Sequence, residues 1–194
     1  MKKSKILMMA GSLLLLSLFA LPLWNITLEA PQYPDPLGLN IHIDGLQDGN
    51  NENDVRNIDL LNHYIGMEHL PKDLPEYHLF PIIVAVMAIL GLIIGFTGKP
   101  KLYLTWVIVM AILGIAGIYD FYLWLYHYGH NLNPNAILKF VDKNGNPMAY
   151  QPPIFGSKQL LNFRVHSFPA SGAYVMFLGI LMTIWAFITG KKES

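Results

Sequence analysis

Four long apolar runs alternate with two long polar segments along the chain, and this pattern sets the expected architecture. The apolar runs extend from about residue 6 to 23, 79 to 96, 102 to 126 and 170 to 189. Each run is long enough to cross a hydrocarbon core of about 30 Å at about 1.5 Å rise per residue. The pattern predicts a membrane all-α four-helix bundle with a small α+β extracytoplasmic cap, formed by the two long polar segments.

The first apolar run has two interpretations, and whether it is cleaved stays open. Basic residues before an apolar stretch are typical of a secretory signal peptide. No small-x-small cleavage site follows the run, however, and Trp24 at its end suits a position at the membrane interface. We therefore predict an uncleaved signal anchor over residues 1–24. The other predicted segments are 25–78 (first periplasmic segment), 79–97 (second membrane helix), 98–101 (cytoplasmic loop), 102–127 (third membrane helix), 128–169 (second periplasmic segment), 170–190 (fourth membrane helix) and 191–194 (cytoplasmic tail).

The lysines predict the orientation of these segments in a bacterial inner membrane. Lysines lie before the first apolar run, between the second and third, and after the fourth. The positive-inside rule places all three of these sites in the cytoplasm, so both termini are predicted inside and the large segments in the periplasm. All seven histidines then fall in the periplasmic segments or at their edges.

Composition narrows the possible functions. The chain has 13% charged residues, about half of the usual share for a soluble domain. Its formal net charge is zero, which gives no support to nucleic-acid binding. There is no cysteine, so disulfides and thiolate metal sites are excluded. Phosphate-binding glycine loops, serine-hydrolase elbows, zinc-protease motifs and covalent-haem motifs are also absent from the sequence, and we predict that the protein is not an enzyme.

The two polar segments show local patterns of their own. Apolar and polar residues alternate over residues 39–44, which predicts a half-buried strand. Asp59 can cap a short amphipathic helix. In the second segment, Asn144-Gly145 predicts a hairpin whose strands cover residues 137–141 and 148–151.

His63 and Met67 are the first candidate metal ligands. On a helix these residues are four apart and share a face. Imidazole and thioether together are a ligand set that suits copper, especially Cu(I). The alternative is that both side chains only pack at the membrane surface.

A second group of candidates follows the third apolar run. Asp120, Trp124 and His127 share one helical stripe, and an acid near a membrane span is typically functional. Asp120 is therefore a possible second-shell partner that orients the His127 ring. His127 and His130 form a possible second half of a metal site. The alternative interpretation is an interfacial belt of aromatic residues with Asp120 at headgroup level.

Several stretches of the polar segments resemble one membrane-protein family. They are Leu-Glu-Ala-Pro-Gln-Tyr-Pro at 28–34, Leu-Asn-His-Tyr-Ile-Gly-Met at 61–67, Tyr-Gly-His-Asn-Leu-Asn-Pro-Asn-Ala at 128–136, Tyr-Gln-Pro-Pro at 150–153 and Lys-Gln-Leu-Leu-Asn-Phe at 158–163. The chain resembles the NosB-like integral membrane proteins of clade II (atypical) nitrous oxide reductase gene clusters. The resemblance implies the inner membrane of a denitrifying or N2O-respiring bacterium, near a periplasmic copper enzyme, and it transfers no catalytic residues.

Three functions are compatible with these observations. The first is an accessory membrane protein that supports a periplasmic nitrous oxide reductase system, with copper binding or relay by His63, Met67, His127 and His130 as its candidate mechanism. The second is a structural anchor or docking platform for a periplasmic or membrane partner. The third is a quinol-linked electron-transfer subunit with Asp120 and His127 as proton acceptors, although the sequence shows no ligation pattern for a redox cofactor.

Overall fold

The computed structural model describes residues 2–138, 149–160 and 162–193. These residues form five α-helices and one antiparallel sheet of five strands. The helices are α1 (Lys3–Leu13), α2 (Asp54–Ile65), α3 (Pro75–Thr97), α4 (Pro100–His130) and α5 (Ser171–Glu193), and the strands are β1 (Trp24–Glu29), β2 (Leu37–His42), β3 (Gly45–Asp48), β4 (Gly156–Leu160) and β5 (Phe163–Pro169).

Among the described residues, three helices are long and apolar enough to cross a membrane, and they are α3, α4 and α5. The prediction of a membrane all-α four-helix bundle is therefore wrong. The first apolar run gives only the 11 residues of α1, followed by a 3-10 segment at Leu14–Phe19. At about 1.5 Å per residue, α1 alone is about 16 Å long, roughly half of a hydrocarbon core.

Hydroxyl side chains help to explain why the first run is not one long α-helix. Ser12 Oγ donates to the Met9 carbonyl at 3.0 Å, and Ser17 Oγ donates to the Leu14 carbonyl at 2.7 Å. Bonds of this kind compete with the backbone ladder and tend to bend helices. Pro22 then prevents the helix from continuing, and β1 begins two residues later.

The apolar core of the helices lies where α1 packs against α3 and α5. Met8 and Leu15 of this first run are almost completely buried. Gly11 and Gly179 face one another so closely that a Cβ on Gly11 would lie 2.6 Å from the Gly179 carbonyl oxygen. Small residues at such a crossing allow the two backbones to approach.

The two polar segments build one sheet with the strand order β3-β2-β1-β5-β4. The central strand β1 pairs with β2 of its own segment and with β5 of the second segment. The strand predicted from the alternation at residues 39–44 is confirmed as β2, and Leu37 and Leu39 are buried on one face of it. The sheet is larger than the small cap predicted from the sequence, because the pairing of β1 with β5 joins both segments.

One face of the sheet packs against α2 and the last turns of α4, and we call this assembly the cap. Its buried residues include Ile26, Leu39, Ile58, Leu125 and Val165. The cap therefore holds the end of α4 in its own core. The hairpin predicted at 137–151 falls mostly on residues 139–148, which lie outside the described residues.

The start of α2 differs from the prediction. The helix begins at Asp54, so Asp59 lies inside it and does not cap it. The Asp54 Oδ2 atom accepts hydrogen bonds from three backbone N–H groups, those of Gly38, Asn50 and Asn51, at 2.8–2.9 Å. This buried carboxylate connects the start of α2 to β2 and to the loop before the helix.

Candidate functional site on the cap

The C-terminal end of α2 decides where the first group of candidate residues lies. Gly66 has a φ of 83°, in the left-handed region, and the Met67 N–H donates to the Asn62 carbonyl at 2.9 Å. These bonds form the capping motif that ends many helices at a glycine. Met67 therefore lies beyond the helix, and the four-residue helical spacing assumed for His63 and Met67 does not apply.

Met67 and His63 consequently have different surroundings. Met67 lines an apolar cavity of about 90 Å³ between the sheet, α2 and α4. The His63 ring instead stacks on the His69 ring, with centroids 5.3 Å apart and an interplanar angle of 14°. The structure thus places the thioether in the apolar cap interior and the imidazole in an exposed ring pair.

His69 is a member of this site that sequence reasoning did not select. Its Nδ1 atom lies 2.9 Å from Asp59 Oδ2, and the other Asp59 oxygen accepts the Leu70 N–H at 2.6 Å. Because a carboxylate only accepts, the Nδ1 atom of His69 carries a proton, and in the neutral ring the Nε2 atom presents a lone pair. In the sequence, Gly66 indicates this arrangement. A helix that ends at a glycine directs the residues after it, here Glu68 and His69, away from the helix axis.

Glu68 connects the first group of candidates to the second. His127 Nε2 lies 3.4 Å from Glu68 Oε2, and the Asn131 side-chain amide donates to the other Glu68 oxygen. Backbone bonds hold the same junction, because Asn133 N–H donates to the Gly66 carbonyl at 2.7 Å. The ends of α2 and α4 therefore meet at the cap surface.

His130 and Asp120 lie apart from this junction. His130 Nδ1 donates to the Tyr126 carbonyl at 2.9 Å, and its ring stacks on the Tyr126 ring. Asp120 lies two helical turns from His127, about 10 Å along the axis of α4, so it does not touch that ring. The carboxylate that orients His127 is Glu68, and Asp120 makes no hydrogen bond or ion pair with any residue that the structure describes.

We call the surface formed by His63, Glu68, His69, His127 and Asn131 the histidine patch. The side chains of His69 and His127 are 69% and 58% exposed, and that of Glu68 is 46% exposed. Ion pairs with such exposure contribute only about 0–1 kcal/mol to stability. The ion pairs of the histidine patch therefore add little to the stability of the fold, and the exposed donors and acceptors are available for contacts with another molecule.

The histidine patch does not form a metal site by itself. Over residues 2–138, 149–160 and 162–193, no group of three His, Asp or Glu side chains is placed to hold one metal ion. The four candidate copper ligands are also separated by their local contacts, since Met67 lines the cavity and His130 binds Tyr126. A copper ion at this surface would need further ligands from another molecule.

Comparison of the chain with protein-family models finds no match, and comparison with curated proteins finds none either.

Proposed function

We propose that this chain is an accessory membrane protein whose cap docks a partner protein of a periplasmic nitrous oxide reductase system. The partner is suggested by the resemblance of the polar segments to NosB-like proteins. Three helices with the length and apolar character of membrane spans support residence in a bilayer. The lysines support an orientation with both termini in the cytoplasm and the cap in the periplasm of a bacterium.

One observation carries the docking function, namely that the histidine patch is exposed and yet held in place. Its residues come from both polar segments, which the sheet and the backbone bond from Asn133 to Gly66 join. Side chains on such a support lose little freedom when a partner binds, so more of the contact energy appears as affinity. A fixed and exposed polar surface is typical of a docking site, whereas a loose loop would have to be ordered first.

The docking function is tested in N2O-respiring cells that lack their own copy of the protein. The double variant Glu68→Ala/His127→Ala removes the contact between the two halves of the histidine patch. We expect it to reach the membrane in normal amount and to restore less than about a tenth of the N2O reduction restored by the wild type, as expected when a central contact of an interface is lost.

The matched control is the double variant Asp73→Ala/His78→Ala, which removes an exposed histidine–carboxylate pair at the start of α3, outside the histidine patch. We expect this control to restore full activity. Full activity of the Glu68→Ala/His127→Ala protein would overturn the docking function. Equal loss in both double variants would show that neither effect is specific to the histidine patch.

Copper binding is a second and narrower candidate function, and one observation favours it. His69 and His130 both donate their Nδ1–H to an oxygen, which leaves Nε2 free as in most histidines that bind metals. The test is competition of the purified protein with a Cu(I) chelator. If the wild type and the His63→Ala/Met67→Ala/His127→Ala/His130→Ala variant bind equally little Cu(I), copper relay by these residues is ruled out and docking is unaffected.

A further inference from the structure

The middle of α4 has few contacts with the rest of the molecule. The buried residues of this helix are Tyr103, Trp106 and Met110 at one end and Leu125, Tyr128 and Gly129 at the other. None of the residues 111–120 is buried, over a length of about 15 Å, and the cap contacts of the helix begin again at Phe121. We call residues 111–120 the bare segment of α4.

The bare segment has open space beside its backbone. A Cβ placed on Gly114 or on Gly117 would meet no atom within 4 Å. The side chains around these glycines are Ile112, Ile115 and Ile118, which are 55–70% exposed. Between residues 111 and 118 the helix carries only apolar side chains and glycine, so a hydrocarbon chain can lie along it without leaving a polar group unpaired.

Asp120 lies at the end of the bare segment that is closer to the cap. It is half-buried and has no hydrogen bond or ion pair to any described residue. Glu76 at the start of α3 is a second acid close to Asp120. Asp120 can therefore accept a cation or a hydrogen-bond donor from another molecule.

The depth of Asp120 identifies the source of that cation. Asp120 lies about 30 Å along α4 from Pro100, which is about the thickness of a hydrocarbon core. It is therefore at the level of the lipid headgroups on the side of the cap. Tyr119 and Tyr122 beside it are exposed, as expected of aromatic residues at a membrane interface, and tyrosine rings also attract ammonium groups.

We propose that the bare segment of α4 binds one phospholipid with an amine headgroup, taken from the leaflet next to the cap. The ammonium group lies on the Asp120 carboxylate, and one acyl chain lies along Gly117 and Gly114. A lipid supplies a cation at headgroup depth and a chain beneath it, which matches the carboxylate above an apolar face. This site does not depend on the docking function of the cap.

The test uses the purified protein in detergent, mixed with equal amounts of phosphatidylethanolamine and phosphatidylglycerol that carry the same acyl chains. Native mass spectrometry then measures the lipid that stays bound. We expect the wild type to retain several-fold more phosphatidylethanolamine than phosphatidylglycerol. Asp120→Asn should bring the ratio of the two retained lipids close to one, because the charge-assisted contact that distinguishes them is lost.

Two pairs of variants separate the headgroup contact from the chain contact. Asp73→Asn changes another carboxylate on the side of the cap, one that is paired with His78, and should leave the preference unchanged. Gly117→Leu fills the space along the bare segment and should lower retention of both lipids. Val86→Phe adds as many heavy atoms to an exposed side chain of α3, outside the bare segment, and should not. Thermal unfolding of each variant checks that the fold is intact.

Two results would overturn the proposal. The first is equal retention of the two lipids by the wild type, or a preference that survives Asp120→Asn. The second comes from a photocrosslinking residue at position 117 in cells, where we expect adducts with phospholipid. Adducts with a protein chain alone would show that a partner helix or a second copy covers the bare segment.

Discussion

The contact between α1 and α5 and the bare segment of α4 both contain pairs of glycines, but the two pairs have opposite surroundings. Gly11 and Gly179 lie against one another, and a Cβ on either would be 2.6 Å from the carbonyl oxygen of the other. Gly114 and Gly117 have nothing within 4 Å of the same position. The first pair packs inside the molecule, at the contact of two helices. The second pair faces outward and is available to another molecule.

Burial shows the same difference between the two regions. Met8 and Leu15 beside Gly11 are 0% and 1% exposed, whereas Ile115 beside Gly114 is 70% exposed. Small residues in apolar helices therefore indicate a close approach of some kind, but they do not say whether the approaching group is part of the same chain. In this protein only the surroundings of each glycine distinguish the two cases.

The largest effect is expected for Gly11→Ala against Gly114→Ala. The new methyl group at position 11 would meet a backbone oxygen at 2.6 Å and Thr183 Cγ2 at 2.8 Å, so α1 and α5 must move apart. We expect a loss of about 1–3 kcal/mol in the free energy of unfolding. Gly114→Ala meets nothing and gains helix propensity, so its stability should be equal or higher.

Thermal unfolding of the purified proteins in detergent measures this difference. A lower melting temperature for Gly11→Ala and an unchanged or higher one for Gly114→Ala is the expected result. Equal melting temperatures for the two variants would mean that the packing at Gly11 is no closer than the packing at Gly114, which would contradict the difference between the two glycine pairs.

The next effect concerns the two tryptophans of α4, one on each side of the bare segment. Trp106 is 2% exposed, and its indole N–H donates to the Met87 carbonyl of α3 at 3.0 Å. Trp124 Nε1 is also buried but has no partner among the described residues. Trp106→Phe therefore loses a hydrogen bond, whereas Trp124→Phe loses none. Trp106→Phe should lower the free energy of unfolding by about 1 kcal/mol more than Trp124→Phe does.

Chemical denaturation of the two tryptophan variants provides the measurement. The expected order is wild type, then Trp124→Phe, then Trp106→Phe, in decreasing stability. The reverse order would show that the end of α4 inside the cap, and not the end next to α3, holds this helix in place.

The smallest effect is a pH dependence of stability that comes from the cap. Neither glycine pair contains a titratable group, so neither should contribute to it. Burial lowers the pKa of His42 below its usual value of 6.5, and Asp44 opposes this shift only in part. The unfolded chain therefore takes up a proton at a higher pH than the folded cap does. The contribution of His42 to stability is complete above about pH 6.5 and decreases as the pH falls below that value.

His42→Asn should remove this contribution. Between about pH 7.5 and pH 5, the variant should lose less stability than the wild type does, while Gly11→Ala should show the wild-type pH dependence at a lower stability. Parallel pH curves for the wild type and His42→Asn would contradict the assignment to His42.

Local patterns predicted part of this fold well. The alternation at residues 39–44 predicted β2, because the two faces of a strand alternate along the chain. The apolar runs predicted α3, α4 and α5, because a helix that crosses a bilayer needs about 20 apolar residues. The prediction of one membrane helix over the first apolar run failed because Ser12 and Ser17 donate hydrogen bonds to nearby carbonyls, which composition alone does not show. The pairing of β1 with β5 could not be predicted because it depends on the register between distant segments.

In the candidate site, too, local patterns predicted some features, whereas contacts between distant segments could not be predicted. His127 was predicted as a metal ligand that Asp120 orients, on the ground of helical spacing, whereas Glu68 from another segment is in contact with its ring. The ligand role of His127 stays a prediction. Met67 was predicted to share a face with His63, but a left-handed glycine at position 66 turns it into the apolar cavity. Spacing along the chain therefore predicted candidates, and contacts between segments decided their roles.

The register that pairs Trp24 with Pro169 also sets an order of events during synthesis. One edge of β1 stays unpaired while α3 and α4 are being made, because β5 leaves the ribosome only after both of them. An unpaired strand edge is prone to join other chains. The cap is therefore among the last parts of the molecule to be completed, and a ribosome that stalls within α4 would leave this edge of β1 exposed.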